Sequence, residues 1–252
     1  MAHPSSPGRQ ASATLLVAAL ALPSALLAHG SNAPYIAFWG PFSTTAARCQ
    51  RQIGASVRTC VERVVRHELD CSTEHNLPNC DAPAQTAVRR AAVELGRKQV
   101  AELCSAADVR ELLFIDLAEV QTDLEQACRQ EASRLRDQLL AVSLADLSGP
   151  CQRQLRTVGR QMLGRALRAK RFALNPIATH NMPPSRRLGR INNCQRRLTK
   201  TRGLLANRLR RHCPQLEAVY GASAEEWLLD LEMSTDCIIW SAYIQSAFTC
   251  AR

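Results

Sequence analysis

Eleven cysteines and six histidines are the residues of this 252-residue chain whose types and spacing could do chemistry. Zinc and thiol-redox sites need closely spaced cysteines, and no Cys-x-x-Cys occurs, with or without the following His that haem attachment needs. His67-Glu68-Leu69-Asp70-Cys71 has the outline of a zinc-protease helix, but Cys71 stands where the second histidine is required. His67, Cys71, His75 and Cys80 could surround a metal ion. In an oxidising compartment the two cysteines pair instead and leave the histidines on the surface. The chain has neither a Gly-x-Ser-x-Gly elbow nor a phosphate-cradling glycine loop. His180 and His212 have no acidic residue close in sequence to orient them. Asp116 and Glu119 belong to an amphipathic helix as solvated surface. No catalytic, cofactor-binding or metal-binding set emerges, so disulfide formation is the chemistry the cysteines point to.

The cysteines must therefore be positioned by the elements that carry them. Cys49, Cys60 and Cys71 are 11 residues apart, so on a helix they share one stripe. Neighbours along it lie ~16 Å apart, too far to bond, and each needs a partner on another helix. An antiparallel hairpin brings Cys71 to Cys80 across the turn and Cys49 to Cys104 at the open end. Cys60, in mid-helix, is left for Cys128 on a third helix.

The phrase Cys49-Gln-Arg-Gln-Ile53 returns as Cys151-Gln-Arg-Gln-Leu155 and Cys194-Gln-Arg-Arg-Leu198. Asp116-Leu117-Ala-Glu119 followed by Thr122-Asp123 returns as Asp230-Leu231-Glu232 followed by Thr235-Asp236. These echoes predict two divergent units, residues 49–147 and 151–252, separated at Ser148-Gly149-Pro150. An offset of 102 carries Cys49 to Cys151, whose partner becomes Cys213. Cys60 maps to Met162 and Cys71 to Ala173, so Cys194 is expected to pair with Cys250. Cys237 remains as the free thiol, and if exposed it would link two chains. The Cys-Gln-Arg phrase with helical cysteine spacing over most of residues 49–250 resembles families of secreted, cysteine-spaced helical-repeat proteins of predatory soil bacteria. No activity is assigned to those families, so the resemblance implies none.

The fold class expected is all-α: two tandem, disulfide-stapled helical bundles. Ile53, Val57, Val61 and Val64 recur at helical spacing. Asp81 as N-cap with Pro83 in the first turn opens a second helix running to Cys104. Ser105-Ala-Ala-Asp108 reads as a capping box, and Thr122-Asp-Leu-Glu125 as a second one bending a third helix that reaches about Leu144. An unbroken helix from Ala106 is the alternative. Ser223-Ala-Glu-Glu226 repeats the capping logic, with a final helix over Asp236–Phe248. Asn175-Pro176 and Met182-Pro-Pro184 mark Leu174–Pro184 as a loop.

Residues 1–30 read as a signal peptide, with Arg9 ahead of the uncharged run Ala11–Ala28. Residues 31–48, with Tyr35, Phe38, Trp39 and Phe42, read as an aromatic arm that either packs across a helical groove or serves as a docking peptide. Leader and cysteines together imply a secreted, periplasmic or cell-surface protein.

Charge is the last signal. The stretch from Cys151 to Cys213 holds 17 of the 32 Lys and Arg side chains and none of the 22 carboxylates. Such asymmetry implies an anionic partner. The candidate anion-binding residues are Arg153, Arg156, Arg160, Arg186, Arg187, Arg190, Arg196, Arg197, Lys200 and Arg202. The six carboxylates of Glu217–Asp236 are too few to neutralise them all. Nucleic acid fits poorly, because single strands need stacking aromatics and Phe172 is the only one in the segment. Anionic lipid head groups, an acidic polysaccharide or an acidic protein fit better. The functional readings are therefore a cationic binding module, a structural envelope or matrix protein, and a hydrolase with an unrecognised site.

Overall fold

Helix signals at the residue level account for the elements in the computed structural model, which describes residues 42–73, 80–140, 147–243 and 248. The first helix, α1 (Thr44–Thr73), turns Ile53, Val57, Val61 and Val64 inward, each almost fully buried. It begins inside the stretch read as an arm, whose described residue Phe42 packs on the core and donates its amide to the Ala178 carbonyl at 3.2 Å. The second, α2 (Ala82–Leu103), opens on Asp81, whose carboxylate accepts from the Ala84 amide at 2.9 Å, and ends at Cys104.

The next helix departs from expectation. Ser105 and Asp108 close their capping box, yet α3 (Ala106–Glu111) ends after six residues. The Leu113 amide donates to the Arg110 carbonyl and the Phe114 amide to Val109, while Leu113 takes a left-handed φ of 71°. This is a helix stop of the Schellman type with leucine where glycine is usual. Phe114 and Val109, both buried, make the apolar contact that offsets the left-handed strain. The chain restarts at Asp116, which caps α4 (Leu117–Gln126) through the Glu119 amide at 2.8 Å. The bend expected at Thr122 is therefore six residues too late. The Thr122 hydroxyl donates back to the Ala118 carbonyl instead of capping. A π-helical turn (Ala127–Glu131) then leads into α5 (Ala132–Leu140) and carries Cys128.

The basic segment forms a long antiparallel hairpin, α6 (Gly149–Thr179) and α7 (Pro184–His212). The loop expected over Leu174–Pro184 is mostly helix, because α6 continues through Pro176. Proline removes one hydrogen bond, to the carbonyl of Phe172, whose side chain lies in solvent. Buried Leu174, Ile177 and Ala178 hold the last turn in place. After the short α8 (Leu216–Tyr220), Ser223 and Glu226 form the expected capping box for α9 (Ala224–Ala242). No break separates a final helix at Asp236, since α9 runs through it.

Among the described residues the fold is all-α, with α1 and α6 side by side, α2 and α5 flanking α1, and α7 and α9 flanking α6. Among the described residues, the stretches expected to be two units share one core. Gly159 permits the closest approach, since a Cβ there would collide with Leu139 of α5. No helix among the described residues is long and apolar enough to cross a membrane. Residues 1–30, expected to be a leader, lie outside the described residues.

Four disulfides between described residues staple the helices. Cys49–Cys104 and Cys71–Cys80 close the two ends of the α1–α2 hairpin, with Cα separations of 4.9 and 5.1 Å. Cys60–Cys128 ties α1 to the π-helical turn, and Cys151–Cys213 closes the open end of α6–α7. The remaining assignments are corrected. Cys237 is disulfide-bonded, not free, and Cys194 is the free thiol, buried on α7. An intermolecular bridge through Cys237 falls with that correction; Cys250 lies outside the described residues. Helix geometry explains the swap: Cys194 faces Lys170 and the inner side of α6, not another cysteine. Alkylation of the unreduced protein should therefore be slow while it is folded and label Cys194 alone once denatured. Peptide mapping that finds the label on Cys237 would contradict this pairing.

Candidate anion-binding face and groove

Packing divides the cations of the α6–α7 hairpin into two populations. Arg156 and Arg187 are buried, and Arg187 donates to the Met182 carbonyl at 2.7 Å. Burial, reinforced by the charge of Arg160 and opposed by that of Asp70, lowers the proton affinity of Arg156. Arg160 pairs with Asp70 of α1 at 3.0 Å, and Arg202 with Glu232 of α9 at 2.6 Å. Three of the ten predicted residues, Arg156, Arg187 and Arg202, are thus engaged inside the fold, and Arg160 is paired at its surface. The other six, Arg153, Arg186, Arg190, Arg196, Arg197 and Lys200, make no ion pair with described residues and lie partly or fully in solvent. Arg186, Arg190, Arg197, Lys200, Arg208 and Arg211 recur at intervals of three, four, seven and eight residues, which places them on one face of α7.

Beneath that face lies a charged knot that sequence reasoning missed. Lys170 of α6 is only 2% exposed. Its ammonium lies 2.5 Å from Asp236, donates to Thr235 Oγ1 at 2.6 Å and to the Glu232 carbonyl at 2.8 Å, and sits 5.3 Å from the Phe248 ring centre. Burial raises the carboxyl pKa of both Asp236 and Glu232, against the opposing pull of Lys170 and, at Glu232, of Arg202. In the sequence Thr235-Asp236 reads as repeat text; its neutralising role appears only when α9 meets the hairpin.

The groove between α6 and α7 is lined by Arg168, Ala169, Phe172 and Ala173 from one helix and Arg190, Asn193, Cys194 and Arg197 from the other, and encloses about 440 Å³. No carboxylate lines it. Arg168 Nε donates to the Gly164 carbonyl at 3.0 Å, which fixes the direction of its guanidinium. Phe172 is 67% exposed at the rim. A smaller cleft on the other side of Arg168 adds Arg66 and Arg160, with Glu62 as its one carboxylate. The zinc-like outline around His67 dissolves, since Cys71, 3.7 Å from His67 Nε2, is committed to Cys80. His75 lies outside the described residues.

Fold and site together define an all-α, disulfide-stapled bundle with a cationic helical face. Compared with protein-family models, curated proteins and solved structures, the chain matches none.

Removing Lys170 would leave Asp236 buried and unpaired. Lys170→Met should cost about 3–5 kcal/mol in denaturant melts, and adding Asp236→Leu should recover most of it. In the single variant the folded pKa of Asp236 rises further above its unfolded value. Its stability should therefore improve as pH falls through that raised pKa towards the ordinary carboxylate range. A double variant no more stable than the single one would show that the pair does not act as a unit.

Proposed function

We propose that this chain is an exported binding module that holds an anionic surface or polymer against the outer face of the α6–α7 hairpin. The observation that carries the reading is the row of six cations along α7 that make no ion pair with described residues, two of which, Arg190 and Arg197, also line the groove to which α6 adds Arg168. Four disulfides fit an oxidising destination, and the leader-like residues 1–30 supply the route to it. A protein that needed its arginines only for internal ion pairs would keep them beside carboxylates, as Arg160 and Arg202 are kept.

Exposed charges interact over about 8 Å at physiological salt, so binding should weaken steeply as salt rises. The full chain should be retained on heparin and on phosphatidylglycerol vesicles at low salt. Arg196→Glu with Lys200→Glu should shift elution to markedly lower salt. Arg90→Glu with Lys98→Glu, an equal change of charge on exposed positions of α2, should shift it little. Equal shifts for both pairs would reduce the face to ordinary solvated surface. Absence of retention at low salt would favour a structural envelope role.

A further inference from the structure

Phe172 and its surroundings ask for more than a polyanion. A ring left two-thirds in water beside guanidiniums has no packing role in the fold. The groove next to it exists because Ala169 and Ala173 are small where longer side chains would fill the space. Its floor includes the Cys194 thiol, whose pKa burial pushes up to about 11, so at neutral pH it is an uncharged, weakly polar surface. Charge and apolar wall thus sit side by side, with Arg168, Arg190 and Arg197 against Phe172, Ala169 and Ala173. The volume of about 440 Å³ lies within the range of roughly 300–1,000 Å³ typical of small-ligand pockets.

We propose that the α6–α7 groove binds a single-chain anionic amphiphile, with its phosphate or carboxylate head among Arg168, Arg190 and Arg197 and its alkyl chain along Phe172, Ala169 and Ala173. The proposal rests on the anion-binding reading above and commits it to lipid. A polysaccharide would engage the outer row of cations on α7 but has no alkyl segment for the apolar wall. A free phosphate would use the guanidiniums alone. Arg168, held by the Gly164 carbonyl, is oriented before any ligand arrives, which lowers the ordering cost of binding.

Calorimetric titration of the full chain with decyl phosphate, below its aggregation concentration, tests the site. Saturable binding of one molecule per chain is expected. Octyl phosphate should bind about fifteenfold more weakly, from a factor of about four per methylene, equivalent to ~0.8 kcal/mol each. Inorganic phosphate and decanol should not saturate over the same range. Phe172→Ala should weaken decyl phosphate by roughly tenfold while leaving heparin retention in place, because only the wall is lost. Arg190→Glu with Arg197→Glu should abolish binding; Arg197 is exposed and Arg190 partly so, and an unchanged helical circular-dichroism spectrum and melting curve check that the variant folds. Bound decyl phosphate should also slow the alkylation of Cys194 in the folded chain, which inorganic phosphate should not. Equal affinities for octyl phosphate, decyl phosphate and inorganic phosphate would overturn the proposal, as would binding indifferent to Phe172→Ala. If heparin retention ignores Arg196→Glu with Lys200→Glu while decyl phosphate still saturates, the outer-face reading fails and the groove stands.

Discussion

The Lys170–Asp236 pair is the contact on which the arrangement of the basic hairpin depends. Two long helices with 17 cations and no acid of their own cannot bury any face without importing negative charge. A buried, uncompensated ammonium costs several kcal/mol, so the inner face must meet carboxylates from elsewhere in the chain. Helix α9 delivers Asp236 and Glu232 to Lys170 and Arg202, and α1 delivers Asp70 to Arg160. Once those partners are engaged, the rotation of α6 and α7 is set. Of the remaining cations Arg156 and Arg187 are buried and Arg210 pairs with Glu225, while Arg153, Arg186, Arg196, Arg197, Lys200, Arg208 and Arg211 face water and make up the cationic face.

The same logic operates in the first hairpin, with the signs exchanged. Glu68 of α1 is 4% exposed and is held between Arg89 of α2 and Arg136 of α5. One buried carboxylate therefore joins three helices, whereas the buried ammonium of Lys170 joins α6 to α9. The disulfides act on a different quantity. Cys49–Cys104 and Cys60–Cys128 close loops of 55 and 68 residues, each lowering unfolded-chain entropy by an amount worth ~4 kcal/mol. Three staples hold hairpin ends, Cys60–Cys128 ties the middle of α1, and the ion pairs choose the faces; Ala169, Ala173 and Cys194 are among the side chains lining the groove between α6 and α7.

Local signals in the sequence were legible where one residue acts on its neighbours. Asp81, Ser105 and Ser223 each cap a helix through their own side chains as expected, whereas the cap expected at Thr122 is made by Asp116. The 11-residue cysteine spacing pointed to pairs that helix geometry could resolve. Features that depend on tertiary compensation were not legible. The stop at Leu113 has no glycine to announce it and exists because Phe114 can be buried against Val109. Pro176 signals a loop, yet the core contacts of Ile177 and Ala178 keep the helix intact. Cys194 and Cys237 exchange roles because pairing depends on which helix lies opposite, which an offset between imperfect repeats does not convey. Charge counting found the basic segment but not its division: Arg156 and Arg187 read the same as Arg196 and Arg197 until α9 and α1 are in place.

That division is the centre of the account, and arginine footprinting tests it directly. Phenylglyoxal treatment of the folded chain, followed by mass spectrometry of its peptides, reports the accessibility of each guanidinium. Arg153, Arg168, Arg186, Arg196 and Arg197 should react at rates close to those of the unfolded chain. Arg156, Arg187 and Arg202 should react only after denaturation. Uniform reactivity along Cys151–Cys213, or early modification of Arg156 and Arg187, would contradict a hairpin sorted into an internally neutralised face and an open cationic one.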